Sequence, residues 1–210
     1  MEEKIVISLG GSLVIPEEID IGFLRSFKYL IEGQIAKGKK FYVITGGGKV
    51  CRKYQDAARE LANPTDEELD LIGIRALNLN AELVRVLFKG VGGITIYGAE
   101  NPGSSTDFGA VILAEQFAAK KVINLSNIDY AYDKDPNKYP DAKKIENISW
   151  SEYRKLIPAE WTPGLSTPFD PIASRTAERE GMKVMILNGK NMDNLEKCLN
   201  GEEFLGTQIH

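Results

Sequence analysis

The sequence predicts an α/β fold, a three-layer αβα sandwich with an open, mainly parallel sheet. Short apolar, β-branched runs alternate with helical patterns along the whole chain, as in successive βαβ units. No internal repeat, low-complexity segment or long linker interrupts that alternation, and 210 residues fit one domain. Two of the strand-like runs end in glycine clusters, at the place where open α/β sheets hold their ligands.

The elements follow in order. Lys4 to Leu9 reads as a strand ending in Gly10-Gly11-Ser12. From about Asp20 to Lys37, Phe23, Leu24, Phe27, Leu30 and Ile31 fall at helical spacing. Phe41 to Thr45 is a second strand, ending in Gly46-Gly47-Gly48, and a helix runs from about Lys49 to Leu61 until Asn63-Pro64 stops it. Thr65 with Glu68 three residues on is a capping box, which opens a long helix to about Phe88. Gly93 to Tyr97 is a third strand, and a serine-rich loop leads into a helix from about Thr106 to Ala119. Lys121 to Leu125 is a fourth strand, and Asp129 to Ile145, rich in Asp, Lys, Tyr and Pro, suggests a hairpin excursion. Helices are expected near Ser149–Ile157 and Pro171–Glu180, a strand at Lys183–Leu187, a helix at Met192–Leu199 and a short strand at Thr207–Ile209. The loop Ala159–Pro168 is a candidate lid.

Composition narrows the chemistry. A chain of this length buries roughly 70% of the surface its unfolded form exposes, and 43% hydrophobic with 27% charged residues is ordinary for a globular protein. A net charge of −4 with no polybasic run argues against a nucleic-acid surface. Cys51 and Cys198 form no metal-ligand pattern and suit a reduced, cytoplasmic compartment, with Cys51 expected as a small buried thiol. Met1-Glu2-Glu3-Lys4 is not signal-like, and no apolar run approaches the ~20 residues of a membrane span. The only histidine is His210. A His-dependent triad, His metal site or His base is therefore excluded, which leaves carboxylates, hydroxyls, amides, Lys and Arg.

Backbone amides in a glycine turn converge on phosphate oxygens because no Cβ stands in the way. Gly46-Gly47-Gly48 also opens a helix, whose N-terminus favours an anion. The chain has no G-x-x-x-x-G-K-[ST], and Gly46-x-Gly48-x-x ends on Cys51 where a dinucleotide fingerprint needs glycine. Each cluster alone reads equally as a tight turn; two at equivalent strand ends point to phosphate. Lys49 and Arg52 stand at a helix start, where the macrodipole disfavours cations unless an anion is bound. Ser105-Thr106-Asp107 is either an ordinary cap or a third cradle of hydroxyls and amides.

Taken together, Gly10-Gly11-Ser12, Gly46-Gly47-Gly48-Lys49 and Asn127-Ile128-Asp129 through Asp135-Pro136 resemble the amino-acid-kinase superfamily. Gly47 to Tyr54, Asp70 to Ile74 and Asn80-Ala81 are similar to archaeal-type UMP kinases. So are Pro102 to Asp107, beside that family's P-G-H-T-T-D, and Phe169 to Ala173, beside its I-D-P-L-A-A. The resemblance implies an amino-acid-kinase (carbamate-kinase-like) fold over residues 1–210, with an acceptor part at about 1–120 and an ATP part at about 121–210. It implies transfer of the ATP γ-phosphoryl group to UMP, with Mg²⁺ on the ATP and no metal ligands from the protein.

By position, it assigns Gly10, Gly11, Ser12, Gly47 and Arg52 to the ATP phosphates, and Ser126, Asn127, Tyr132 and Asp135 to the ATP base and ribose. Gly46, Asp70, Gly103, Ser104, Ser105 and Thr106, within the loop from Glu100, are assigned to UMP. Lys49, Arg52 and Asp170 are assigned to catalysis. A homo-oligomer, hexamer or dimer, is also implied, with neither nucleic acid nor membrane as partner. Three departures stand out. Ser8 occupies the place of a strand lysine, Leu77-Asn78-Leu79-Asn80-Ala81 replaces T-R-x-N-A with Arg75 one turn away, and the stretch from Ala81 to Pro102 is short. The loop histidine is Ser104. A kinase of the same fold for another small phosphate or carboxylate acceptor, or a non-catalytic nucleotide- or oxyanion-binding relative such as the molybdenum storage proteins, shares most of these features.

Overall fold

A computed structural model describes residues 2–99, 102–103, 105–136, 138–160 and 167–210. Strand β1 (Glu3–Leu9) runs into a single turn of helix, α1 (Gly11–Val14), and then into α2 (Ile21–Ala36), where the Asp20 carboxylate accepts from Phe23 N at 2.8 Å. Next come β2 (Lys39–Thr45), α3 (Gly48–Leu61) and α4 (Asp66–Leu87), whose capping box has both of its hydrogen bonds. β3 (Ile94–Tyr97) and α5 (Thr106–Gln116) follow; α5 stops short of Ala119 because Ala118 takes a left-handed φ of 53°. β4 (Lys121–Ser126) leads to an antiparallel pair, β5 (Ala131–Tyr132) with β6 (Lys144–Ile145), and then to β7 (Asn147–Ile148). Helices α6 (Trp150–Leu156) and α7 (Pro171–Arg179) precede β8 (Lys183–Asn188), α8 (Met192–Asn200) and β9 (Thr207–Ile209).

The main sheet has the order β3-β2-β1-β4-β8-β9-β7. All its pairs are parallel except β8 with β9. The chain winds outward from β1 through β2 to β3, then returns to the other side of β1 with β4. The reversal makes the C-terminal ends of β1 and β4 a topological switch point, where a crevice opens.

Alternation along each strand separates two cores. Ile5, Ile7, Leu9, Phe41, Val43, Ile123, Leu125, Met185 and Leu187 pack under α2, α4 and α8. Val6, Tyr42, Ile44, Val122, Val184 and Ile186 pack under α5, α6 and α7. Ser8 and Asn124 belong by parity to the second face, are buried, and lie opposite each other in the β1–β4 register.

The expected elements are present, with additions. α1 and β7 were not legible in the sequence: one is a single turn, and the other is two residues long and exists through its pairing with β9. Cys51 is half-buried rather than core, Cys198 is buried, and both are free. Among the described residues, no helix is long and apolar enough to cross a membrane. The lid expected at Ala159–Pro168 falls largely on residues 161–166, outside the described residues.

Ile123 is fully buried in central β4. Replacing it with Ala should lower the urea-unfolding free energy by roughly 2–5 kcal/mol through lost burial and a residual cavity. Tyr29→Ala, at a residue 83% exposed, should change it by no more than about 0.5 kcal/mol.

Candidate functional site

The two glycine turns meet at the crevice. Parallel pairing carries the ends of β1 and β2 out side by side, Leu9 opposite Thr45, and Gly46 N donates to Leu9 O at 2.8 Å. A Cβ on Gly11 would stand 2.3 Å from Gly46 O and 2.5 Å from Gly48 N. One on Gly48, whose φ is +64°, would stand 2.4 Å from Gly11 C. Only glycine permits this backbone-to-backbone approach. Gly10 is tied to the next strand, its N–H donating to Leu125 O at 2.8 Å, with Ser126 behind it.

Side chains lock this cradle. Asn80, buried in α4, donates from Nδ2 to Gly46 O at 2.8 Å and to Gly47 O at 3.4 Å. These bonds hold the two carbonyls against α4, while Gly46 N is taken by Leu9 O. Asn80 Oδ1 is buried with no partner. Arg52 donates from Nη2 to Ser12 Oγ at 3.3 Å, which bridges the two turns. Lys49 is turned away: its ammonium pairs with Glu17, which also takes Lys53 at 3.6 Å. The Lys49 hydrogen bond and charge hold the Glu17 carboxyl below its ordinary range. An acid after α1 thus pairs with Lys49, and the cation that reaches across to the other glycine turn is Arg52.

On the β2–β3 side, Asp70 Oδ2 accepts from Gly103 N at 2.8 Å. Asn78 clamps the chain after β3, donating to Ala99 O at 2.8 Å and accepting from Ala99 N at 3.1 Å. Ser105 caps α5 through Phe108 N at 3.1 Å, and the Thr106 hydroxyl lies beside Gly46. Ser104, Glu100 and Asn101 fall outside the described residues.

On the other side, Ser126 Oγ accepts from Ile128 N at 3.2 Å, Asn127 is exposed, Tyr132 is half-buried in β5, and Asp135 sits in the exposed hairpin loop. Asp129 accepts from Asn188 Nδ2 at 3.0 Å, joining the β4 and β8 loops. These two residues share a cleft of about 530 Å³ with Lys190, Asn191, Met192 and Asp193. A larger cavity of about 900 Å³ lies by α8 and the β7–β9 edge and contains none of the glycine turns. Size therefore does not mark the site here; the meeting of the two glycine turns at the switch point does.

Asp170 is not in the open crevice. It is buried, its Oδ1 accepts from Ala173 N at 2.7 Å as the cap of α7, and its Oδ2 has no partner. Asp107 lies against it. Asp107 Oδ1 accepts from Ser8 Oγ at 3.2 Å and Asn124 Nδ2 at 3.1 Å, and Oδ2 from Asp170 N at 3.2 Å. Burial, and then the Asp170 charge, push Asp107 up to about 7.

Asn124, Asn188 and Lys190 received no role from the sequence, and Asp107 and Asp129 entered it only as members of the loop motifs. The one available signal was a polar residue near the C-terminal end of each of two buried strands, Ser8 and Asn124. Two groups of residues thus flank one cradle. Such an arrangement suits two phosphate-bearing ligands meeting end to end over the glycine turns.

A sequence profile of the amino acid kinase family matches residues 82–188. The uridylate kinase of Methanobrevibacter smithii is 34% identical over 98% of this chain and 98% of its own length. That of Thermoplasma acidophilum is 30% identical over 100% and 97%. The crystal structure of uridylate kinase from Archaeoglobus fulgidus superposes with a TM-score of 0.82 at 30% identity, covering 99% of this chain and all of that one. With its parallel sheet reversing at β1 and β4, its paired glycine turns and relatives matching end to end, the chain belongs to the amino acid kinase family.

Proposed function

We propose that the chain is a uridylate kinase, which moves the γ-phosphoryl group of ATP onto UMP and yields UDP and ADP. The observation that carries this reading is the backbone contact of Gly11 with Gly46 and Gly48, bridged by Arg52 and flanked by the Asp70–Gly103 contact. Residues 1–120 bind the acceptor and residues 121–210 bind ATP. UMP lies along Asp70, Gly46 and the loop Gly103, Ser105 and Thr106, and ATP along Ser126, Asn127, Tyr132 and Asp135, with its phosphates at Gly10, Gly11, Ser12 and Gly47.

A UMP phosphate oxygen, already ionised at neutral pH, bonds to the γ-phosphorus. The bond from that phosphorus to the β,γ-bridging oxygen breaks, and its electron pair leaves on ADP. No general base is needed, and the lone histidine lies away from the crevice, its backbone N–H bonded to Ile148 O at the end of β7. Catalysis rests on alignment and on fixed amides and cations around the transferring group. The cradle amides hold phosphate oxygens, and Arg52 spans the turns and neutralises charge. Lys49 adds a second charge when Glu17 releases it.

The donor set fits Mg²⁺ carried on the nucleotide. Among the described residues, no three His, Cys, Asp or Glu side chains form a metal cage, and the side-chain oxygens beside the cradle include the Ser12 and Thr106 hydroxyls. Mg²⁺ commonly binds through substrate phosphates and retained waters; when bound it supplies charge neutralisation to those phosphates. Exposed Leu61, Leu79 and Val86 on α3 and α4 suit self-association into a dimer or hexamer. The free cysteines suit the cytoplasm.

With Mg-ATP and a panel of nucleoside monophosphates and small phosphate or carboxylate acceptors, ADP should form fastest with UMP. Faster turnover of another acceptor, or ATP binding with no turnover, would overturn the assignment. Arg52→Ala should lower kcat by about 10²–10³-fold and leave the melting temperature nearly unchanged, while Lys49→Ala should cost less; the reverse order would exchange their roles. Asp70→Ala should raise KM for UMP and leave KM for ATP nearly unchanged, as measured by varying each nucleotide in turn.

A further inference from the structure

Helix α4 governs more of the crevice than its contact with the glycine cradle. Between Leu77 and Asn80 it reaches three separate segments. The Leu77 carbonyl accepts from Thr45 Oγ1 at 3.1 Å, at the end of β2, and Asn80 holds Gly46 O. Asn78 reaches the chain that leaves β3. Its Nδ2 donates to Ala99 O at 2.8 Å and its Oδ1 accepts from Ala99 N at 3.1 Å, so one side chain pairs with both main-chain groups of one residue. Two turns earlier in α4, Asp70 Oδ2 accepts from Gly103 N at 2.8 Å. The chain from Ala99 to Gly103 is thus tied to one helix at both ends.

The need for such a clamp lies in the sheet. β3 stands at the end of the strand order and, among the described residues, pairs with β2 alone. Its outer main-chain groups face no neighbouring strand, and half-buried amides and carbonyls there need other partners. α4 supplies them: Arg85 Nη2 donates to Ile96 O at 3.4 Å, and Asn78 takes Ala99. A carboxamide suits the second task because it presents a donor and an acceptor side by side, as a strand edge does. Gly98 is the matching adaptation. A Cβ there would stand 1.8 Å from Asn78 Oδ1 and 3.0 Å from its Cγ, whereas the next atom, on Leu77, is 3.7 Å away. Asn78 also occupies the arginine position of the T-R-x-N-A pattern, so this chain places a neutral amide there. We propose that Asn78 is a positioning residue for the acceptor: its carboxamide, admitted by Gly98, fixes Ala99 and through it the loop that lines the acceptor. This rests on the uridylate-kinase reading for its purpose and not for the clamp itself. Asn78 brings no charge, so it sets where the acceptor lies and leaves the electrostatics of transfer to other groups.

Asn78→Ala removes both bonds to Ala99. It should raise KM for UMP about tenfold, as two hydrogen bonds of ordinary net strength imply, and change KM for ATP by less than about twofold. Equal rises in both constants, or none in either, would overturn the proposal. Gly98→Ala forces the Asn78 carboxamide from its seat and should reproduce the rise. In the double variant the second substitution should add nothing, because the atoms that the new Cβ meets are gone. Additive effects would mean two independent contacts and would overturn the proposal. Should Asn78→Ala not fold, the wild type supplies the measurement. Its Ala99 amide should be protected in hydrogen exchange followed by NMR, and exchange at the rate of an open loop would overturn the clamp. Failure of UMP in the acceptor panel, with Ala99 protected and the two substitutions non-additive in melting temperature, would remove the kinase reading and leave the clamp standing.

Discussion

Contact between Gly11 and the turn Gly46–Gly48 sets the geometry of everything around the crevice. Two parallel neighbours in register must deliver their C-terminal turns side by side, and a peptide can lie directly against another peptide only where neither carries a Cβ. α1 starts on one side of this contact and α3 on the other. That places Arg52, one turn into α3, across from Ser12. Asn80 holds the same turn from below and so couples it to α4, the longest helix. A side chain added at Gly11 would push apart the β1 and β2 turns, the start of α3 and the loops they carry.

The crevice depends on a second compromise, in the buried face beneath it. Val6, Val122, Val184 and Ile186 build an apolar layer under α5 to α7. Ser8 and Asn124 break that layer at its C-terminal edge, where more Val or Ile would pack better. Departures from consistent core patterning concentrate at functional sites. Here the departure carries two helix N-termini and two acids to the strand ends.

Much of this was legible in the chain. Alternating apolar runs located the strands of the main sheet except β7, because a strand covered by helices must be apolar whatever surrounds it. Thr65 with Glu68 marked a helix start through purely local hydrogen bonds. The glycine clusters were readable as paired turns at strand ends, with Arg52 close behind one of them. The pairing of Lys49 with Glu17, 32 residues away, was not legible, because it crosses a turn of helix no pattern announced. Asp107 read as a routine helix-opening acid. Its burial against Asp170, 63 residues on, depends on how α5 and α7 pack.

The sequence by itself determined the α/β class, the number and order of the long elements, and the residue types available for chemistry. Hydrophobic periodicity, capping and glycine conformational freedom act within a few residues, so each leaves its mark locally. Tertiary structure alone decided that the sheet reverses at β1 and β4, that Arg52 rather than Lys49 bridges the cradle, and that Asp107 of α5 meets the α7 cap. Each of those outcomes joins segments tens of residues apart. Their energies depend on distance and on exclusion of water, and neither quantity exists until the chain has packed.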